Sequence, residues 1–318
     1  RFKTENLRRS PSDAVLTRTT TSAGAHNAEQ GMAALKTVEL APGDAVLELM
    51  DTLRSYSIYC PNTPTLRGLV SDQQSREPIG LAGGRLAESV GALLRSGQED
   101  ESLSTAIDGV RNLIDWASGF SAESSIGVPL SPSAARSRLV VQFVDRFMAP
   151  GRNKLTGYDA SEGALYVLFC AVLALHPRAP RCVAIDNIDQ ALNPLLAMRL
   201  ISEVCVWTGR TKNERQWLVT AHNPAVLDGL PLNDPSVCLF AVDRNSAGHT
   251  EVSRIDLEKA LQSLVEKAIR AFENRAPGLR HGIALDRQVT VILSQTDTPR
   301  PLCGIYFNLS SPYHRQKP

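Results

Sequence analysis

No glycine in this 318-residue chain is followed directly by lysine. The Gly-Lys-Ser/Thr turn that closes a phosphate-cradling loop is therefore absent from these residues. An excess of one charge is missing as well. Thirty-four Lys and Arg stand against 33 Asp and Glu, for a formal net charge of +1. Global electrostatics thus select neither a nucleic acid nor a charged surface as partner. Cysteine is sparse: Cys60, Cys170, Cys182, Cys205, Cys238 and Cys303 include no C-x-x-C pair. That excludes the common zinc and dithiol spacings. Four of them sit in apolar segments, where cysteine behaves as a small hydrophobe, as expected in a reducing cytoplasm. Long apolar runs are lacking too. The longest, Ala164 to Leu175, has twelve residues, short of the ~20 that span a bilayer. No signal peptide is visible, so the expectation is a cytoplasmic protein with no membrane partner.

What is present is enough for a packed core. Hydrophobic residues make up 43% and charged residues 21% of the chain, as in globular domains. Residues 1–40, rich in Thr, Ser, Arg and Ala, suit a loose β-hairpin or irregular arm. Helices are expected through Val46–Leu53, Leu86–Leu94 and Leu103–Ala117 from apolar residues at helical spacing. Gly97 to Glu101 reads as an acidic linker, Ile58–Cys60 as a short strand, 121–136 as a loop and Leu139–Phe147 as a strand. From residue 160 the pattern becomes helix 162–175, strand 181–186, helix 194–207, strand 216–221, short helix 224–228 and strand 236–242. That alternation predicts a parallel sheet with crossover helices. A strand over 250–255 and a helix from Leu257 to Phe272 follow. Beyond Pro277 only 289–293 and 302–309 read as strands. The expected division is an arm region over 1–150, an α/β core over 151–275 and a tail over 276–318.

Three short stretches in this frame carry chemistry. Val183-Ala184-Ile185 ends in Asp186, which places a carboxylate at the sheet's carboxyl edge, where α/β proteins bind ligands. Asn193 then reads as an N-cap with Pro194 at the first helical position. Ser161-Glu162-Gly163 opens an apolar helix, so a hydroxyl and free N–H groups are offered to an anion. Gly163 permits close approach. Finally Trp217 to Ala221 delivers His222 to the same edge, and Asn223-Pro224 turns the chain away. Each also has a plainer meaning: a polar strand end, an ordinary capping serine and a turn histidine.

In order and spacing the three resemble the ABC-type P-loop ATPases, in the branch that includes the RecF, SMC and OLD-like proteins. The resemblance runs over roughly residues 40–260, most strongly 155–245. It implies an ABC-type ATPase head with a helical arm region, binding ATP and Mg²⁺. Asp186 would hold the metal as the Walker B acid, and Asn187 would occupy the catalytic-base position. Ser161, Glu162 and Gly163 would form the signature loop that reads the γ-phosphate of a second subunit. Asn193 and Pro194 would belong to the D-loop at the dimer interface, and His222 would be the γ-phosphate switch. It further implies a homodimer closed by ATP, a partner nuclease or DNA, and a role in DNA repair or anti-phage defence. Because the family's phosphate loop lies near the amino end, and this chain begins at Arg1, the resemblance also implies a chain incomplete at its N-terminus.

The chain departs from that pattern in specific ways. The leucine common before the signature serine is Ala160, and Ala164 follows the glycine. The usual Glu after the Walker B acid is Asn187, whose amide takes no proton at neutral pH. Slow hydrolysis, or an ATP-gated scaffold without turnover, follows from that change; with the missing Gly-Lys turn it also leaves open a pseudo-ATPase subunit that has lost nucleotide binding, and Asp189 is the other carboxylate nearby. The order Ser161, Asp186, His222 also matches an α/β-hydrolase triad, but a nucleophile elbow needs Gly-x-Ser-x-Gly, and Asp159 stands where its first glycine belongs. Gly80-Leu81-Ala82-Gly83-Gly84 precedes a helix but lacks the spacing and lysine of a phosphate loop, and reads as a turn.

Overall fold

The computed structural model describes residues 4–10, 12–19, 45–74, 76–126, 138–210, 215–255 and 289–293. The chain divides into two compact units, residues 1–55 and 56–318. In the first, β1 (Thr4–Ser10) pairs antiparallel with β2 (Asp13–Thr19), one of the two forms, hairpin or irregular arm, expected for residues 1–40. Helix α1 (Ala45–Ser55) completes the unit's described elements.

The second unit is α/β. Its central sheet joins β3 (Ser57–Tyr59), β7 (Cys182–Ile185), β8 (Gln216–Ala221), β9 (Val237–Arg244), β10 (Thr250–Ile255) and β11 (Val289–Leu293), in the order β10-β9-β11-β8-β7-β3. β3, β7 and β8 are parallel neighbours. β11 runs antiparallel between β8 and β9, so β9 points the same way as β8. β10 returns antiparallel at the edge. The crossover connections are α5 (Glu162–Leu175) before β7, α6 (Pro194–Arg210) before β8 and the short α7 (Ala225–Asp228) before β9. The expected helix over 257–272 and strand over 302–309 lie outside the described residues.

A smaller antiparallel sheet holds β4 (Ala117–Ser124), β5 (Leu139–Asp145) and β6 (Lys154–Thr156). Three expectations change here, the first being the loop expected over 121–136, whose residues 121–124 belong to β4. The helix expected to reach Ala117 is α4 (Glu101–Leu113), and Ala117 begins a strand. The small polar residues of β4 have little strand propensity of their own; pairing along the length of β5 overrides it. The expected linker over 97–101 is also shorter. α3 (Leu86–Glu99) continues to Glu99, and Asp100 alone turns the chain, its carboxylate accepting from Ser102 N and Leu103 N to cap α4.

One contiguous core takes in α3 to α6, the inward side chains of β7 and β8, and Phe120, Val141 and Phe143 of the small sheet. At its centre lies α5, buried at every position from Ala164 to Leu175. Such a helix has no solvent face, and only its ends can hold polar groups. At the carboxyl end the guanidinium of buried Arg215 donates to the carbonyls of Leu173, Ala174 and His176. A cation there satisfies orphan carbonyls and matches the helix dipole. Burial lowers the Arg215 pKa to about 10, which leaves it charged at neutral pH.

His176 ends α5 beside that guanidinium. Burial, with Arg178 and Arg215 adding repulsion, lowers its pKa from 6.5 to about 4. Its Nδ1 accepts from Arg178 N at 3.1 Å, which requires the neutral ring. The folded pKa is depressed, so the unfolded chain takes up this proton first as pH falls. The stability carried by neutral His176 is thus complete above 6.5 and is lost between about 6.5 and about 4. A His176→Asn variant should flatten that part of the Tm-against-pH curve, read by circular dichroism. An Arg215→Met variant should lose about 2 kcal/mol in urea unfolding, because three helix-end carbonyls lose their donor.

Candidate functional site

Parallel pairing fixes the site. Ile185 lies opposite Val219, so β7 and β8 reach their carboxyl ends together. Asp186 leaves β7 exposed to solvent, and His222 leaves β8 exposed one residue beyond Ala221. Their loops are joined by hydrogen bonds. The Thr220 hydroxyl donates to Asp186 Oδ1 at 2.6 Å and accepts from Asn187 N at 2.7 Å. Ile188 N donates to the Thr220 carbonyl at 2.9 Å. Further along, Asp189 Oδ2 accepts from His222 N at 2.9 Å and from Asn223 N at 2.6 Å.

Two residues of the loop after β7 sit in the left-handed region, Asn187 at φ 55° and Ala191 at φ 64°. Asn tolerates that conformation because its short amide bonds locally; Ala has no such compensation and carries strain of about 1 kcal/mol. Helix α6 then starts as the sequence predicts. Asn193 Oδ1 accepts from Leu196 N at 2.9 Å, and Pro194 holds the first helical position.

Ser161 and its neighbours reach the same rim by packing. Ser161 is the N-cap of α5, its hydroxyl accepting from Ala164 N. A Cβ on Gly163 would lie 3.2 Å from Leu196 Cδ2 and 3.5 Å from both the Ala191 carbonyl and Leu192 Cδ2. The glycine is what lets the α5 turn close onto the loop after β7. Glu162 accepts a short hydrogen bond from the Thr63 hydroxyl, just past β3. Tyr166 donates to the Pro61 carbonyl at 2.6 Å, and Arg67 donates to the Ala160 carbonyl at 3.1 Å. The exit of β3 is thereby bound to the start of α5.

The eight residues singled out from the sequence lie at one sheet edge: Ser161, Asp186, Asn187, Asn193 and His222 on its loops, and Glu162, Gly163 and Pro194 in the first turns of α5 and α6. Asp186 and His222 are linked through hydrogen bonds; Ser161 joins them through the packing of its turn. Sequence reasoning missed Thr220, although a signal existed. Trp217, Val219 and Ala221 are buried, so Thr220 shares the opposite face of its strand with His222. Thr63 left no local signal at all.

No protein-family model matches this chain, and no curated protein does. Among solved structures, the chain is similar to SMC ATPase heads. One comes from work on ATP-driven dimerization and DNA-stimulated activation of SMC ATPases, at 17% identity over 52% of this chain and 94% of that one, TM-score 0.32. Another is an SMC head with an extended coiled coil bound to the C-terminal domain of ScpA, from Pyrococcus furiosus. It matches at 16% identity over 52% of this chain and 39% of that one, TM-score 0.31. A third, an SMC head with coiled coil and joint from Pyrococcus yayanosii, shows 17% identity over 51% and 29%, TM-score 0.32. At such identities and TM-scores the likeness assigns neither residues nor activity. Among the described residues, no helix is long and apolar enough to cross a membrane.

A Thr220→Val variant keeps the shape of the side chain but removes one donor and one acceptor. It should lower stability by about 1–2 kcal/mol in urea unfolding, with Thr220→Ser recovering most of the loss.

Proposed function

We infer that this edge binds Mg²⁺·ATP, as in an ABC-type ATPase head, and that two copies close around the nucleotide. The observation that carries the reading is the joining of Asp186 and His222 at the ends of adjacent parallel strands, with the first turn of α5 on the same rim. Asp186 keeps one carboxylate oxygen clear of the Thr220 bond at an exposed strand end. Among the described residues there is no group of three or more His, Cys, Asp or Glu side chains able to hold a metal. That donor set fits Mg²⁺, which is commonly held by one carboxylate together with phosphates and water. Asp186 would hold the metal, which would supply positive charge against the phosphates of the nucleotide.

The chain's own residues divide the remaining work. His222 meets the γ-phosphate. Ser161, Glu162 and Gly163 offer the first turn of α5 to the nucleotide of a second copy, where N–H groups and the helix dipole favour phosphate. Asn193 and Pro194 lie at the junction of the two copies. Asn187 orients water but takes up no proton, so turnover is slow. A non-hydrolysing, ATP-gated scaffold is the second reading, and Asn187 is the residue that favours it. A setting in DNA repair or anti-phage defence, beside a nuclease or on DNA, is part of the proposal on resemblance alone.

The test uses the intact protein. Asp186→Ala should lower Mg²⁺-dependent ATP turnover by about 100-fold or more; unchanged affinity and turnover would overturn the reading. Asn187→Glu should raise turnover, at a stability cost of about 1 kcal/mol for a Glu in the left-handed region. No gain in turnover from a folded Asn187→Glu protein would favour the scaffold.

A further inference from the structure

We propose that Asp189 is the positioning residue for His222, holding its backbone so that the imidazole meets the terminal phosphate. The proposal rests on the nucleotide reading above and deepens it. His222 is exposed, and its imidazole makes no hydrogen bond to any described residue. Its place on the rim therefore comes from its backbone alone. That backbone is held from across the edge. Asp189 Oδ2 accepts from two consecutive amides, His222 N and Asn223 N. A carboxylate bonded to two amides fixes both peptide planes, and charge-assisted bonds of this kind are about twice as strong as neutral ones. Asn223 extends the constraint, its Oδ1 accepting from Ala225 N at 3.0 Å as the chain enters α7.

The same geometry removes Asp189 from the other role open to it. One oxygen is saturated by two donors, and Oδ1 is buried with no hydrogen-bond partner. A general base needs an oxygen free to take the proton of the attacking water, and in Asp189 Oδ2 is engaged by two amides while Oδ1 is buried. Asp189 thus serves recognition of the γ-phosphate and leaves the position of Asn187 without a substitute carboxylate.

The test compares affinities for ADP and for a non-hydrolysable ATP analogue, both with Mg²⁺, in the full-length protein. It uses wild type, Asp189→Ala, Asp189→Asn, His222→Ala and the double variant Asp189→Ala/His222→Ala. Misplacing a contact group by about 1 Å costs up to 100-fold. Asp189→Ala and His222→Ala should each weaken the triphosphate analogue about tenfold and leave ADP within about twofold. The double variant should be no worse than His222→Ala alone, because one residue acts through the other. Asp189→Asn keeps an accepting oxygen and should retain most of the preference. The inference is overturned if His222→Ala loses the preference and Asp189→Ala does not. Additive losses in the double variant, or equal weakening of both nucleotides by Asp189→Ala, overturn it as well. An unchanged preference in His222→Ala, or no nucleotide binding by wild type, would instead remove the underlying nucleotide reading.

Discussion

Helix α5 has no face that tolerates water, and that constraint organises the molecule around it. Its residues from Ala164 to Leu175 are all buried. Full burial of each large apolar side chain stabilises the fold by about 1.5–3 kcal/mol. Sliding the helix along its axis would drag Ser161 or the carbonyls of its last turn into that environment, with their bonding partners lost. Arg215 holds one end, and the Ser161 cap, Glu162–Thr63 and Arg67–Ala160 contacts hold the other. The first turn of α5 is therefore a fixed feature of the rim. The same contacts anchor the exit of β3, so three loops from distant parts of the sequence meet at one edge.

Much of this was legible in the amino-acid pattern, for physical reasons that differ by element. α5, β8 and the start of α6 lie where the sequence placed them, because burial writes periodicity and caps directly into the residues. Asp186 and His222 were readable as polar ends of apolar runs. β4 was not, since Ala117–Ser124 owes its conformation to β5 rather than to its own propensity. The insertion of β11 between β8 and β9 was equally hidden. A strand of 289–293 could be suspected, but a pairing across so many residues leaves no trace at the local level. The hydrogen bonds from Thr220 and Asp189 belong to this second class. Their donors and acceptors lie more than thirty positions apart, and only the register of β7 on β8 brings them together.

The glycine cluster shows the opposite relation between local signal and ligand. Gly80 and Gly83 adopt φ of 81° and 94°, and the turn does aim amides at an anion. The anion is the chain's own. Asp72 Oδ2 accepts from Ala82 N at 3.0 Å and Gly84 N at 3.3 Å, while Oδ1 accepts from Gln74 N at 3.0 Å. A Cβ at Gly80 or Gly84 would collide with Asp72. Backbone N–H groups gathered in a concave turn attract negative charge whatever its source. Here an internal carboxylate satisfies them, so the turn reads as structure. At the β7–β8 edge the carboxylate of Asp186 instead faces solvent, with one oxygen clear of the Thr220 bond.

Asn187 is where conformation and chemistry are hardest to pull apart, and the backbone supplies the discriminating argument. At φ 55° a residue with a short amide side chain is favoured over one with a longer acid. The amide at this position thus has a structural reason of its own, independent of any loss of catalysis. Ala191 four residues later has no such reason. It holds φ 64° with only a methyl group, where glycine would be relaxed. It also presents its carbonyl to the Gly163 turn. Strain at Ala191 persists because α5 on one side and the Asn193 cap of α6 on the other over-determine the loop between them. The loop is thus fixed from both sides, and the strain at Ala191 is the consequence.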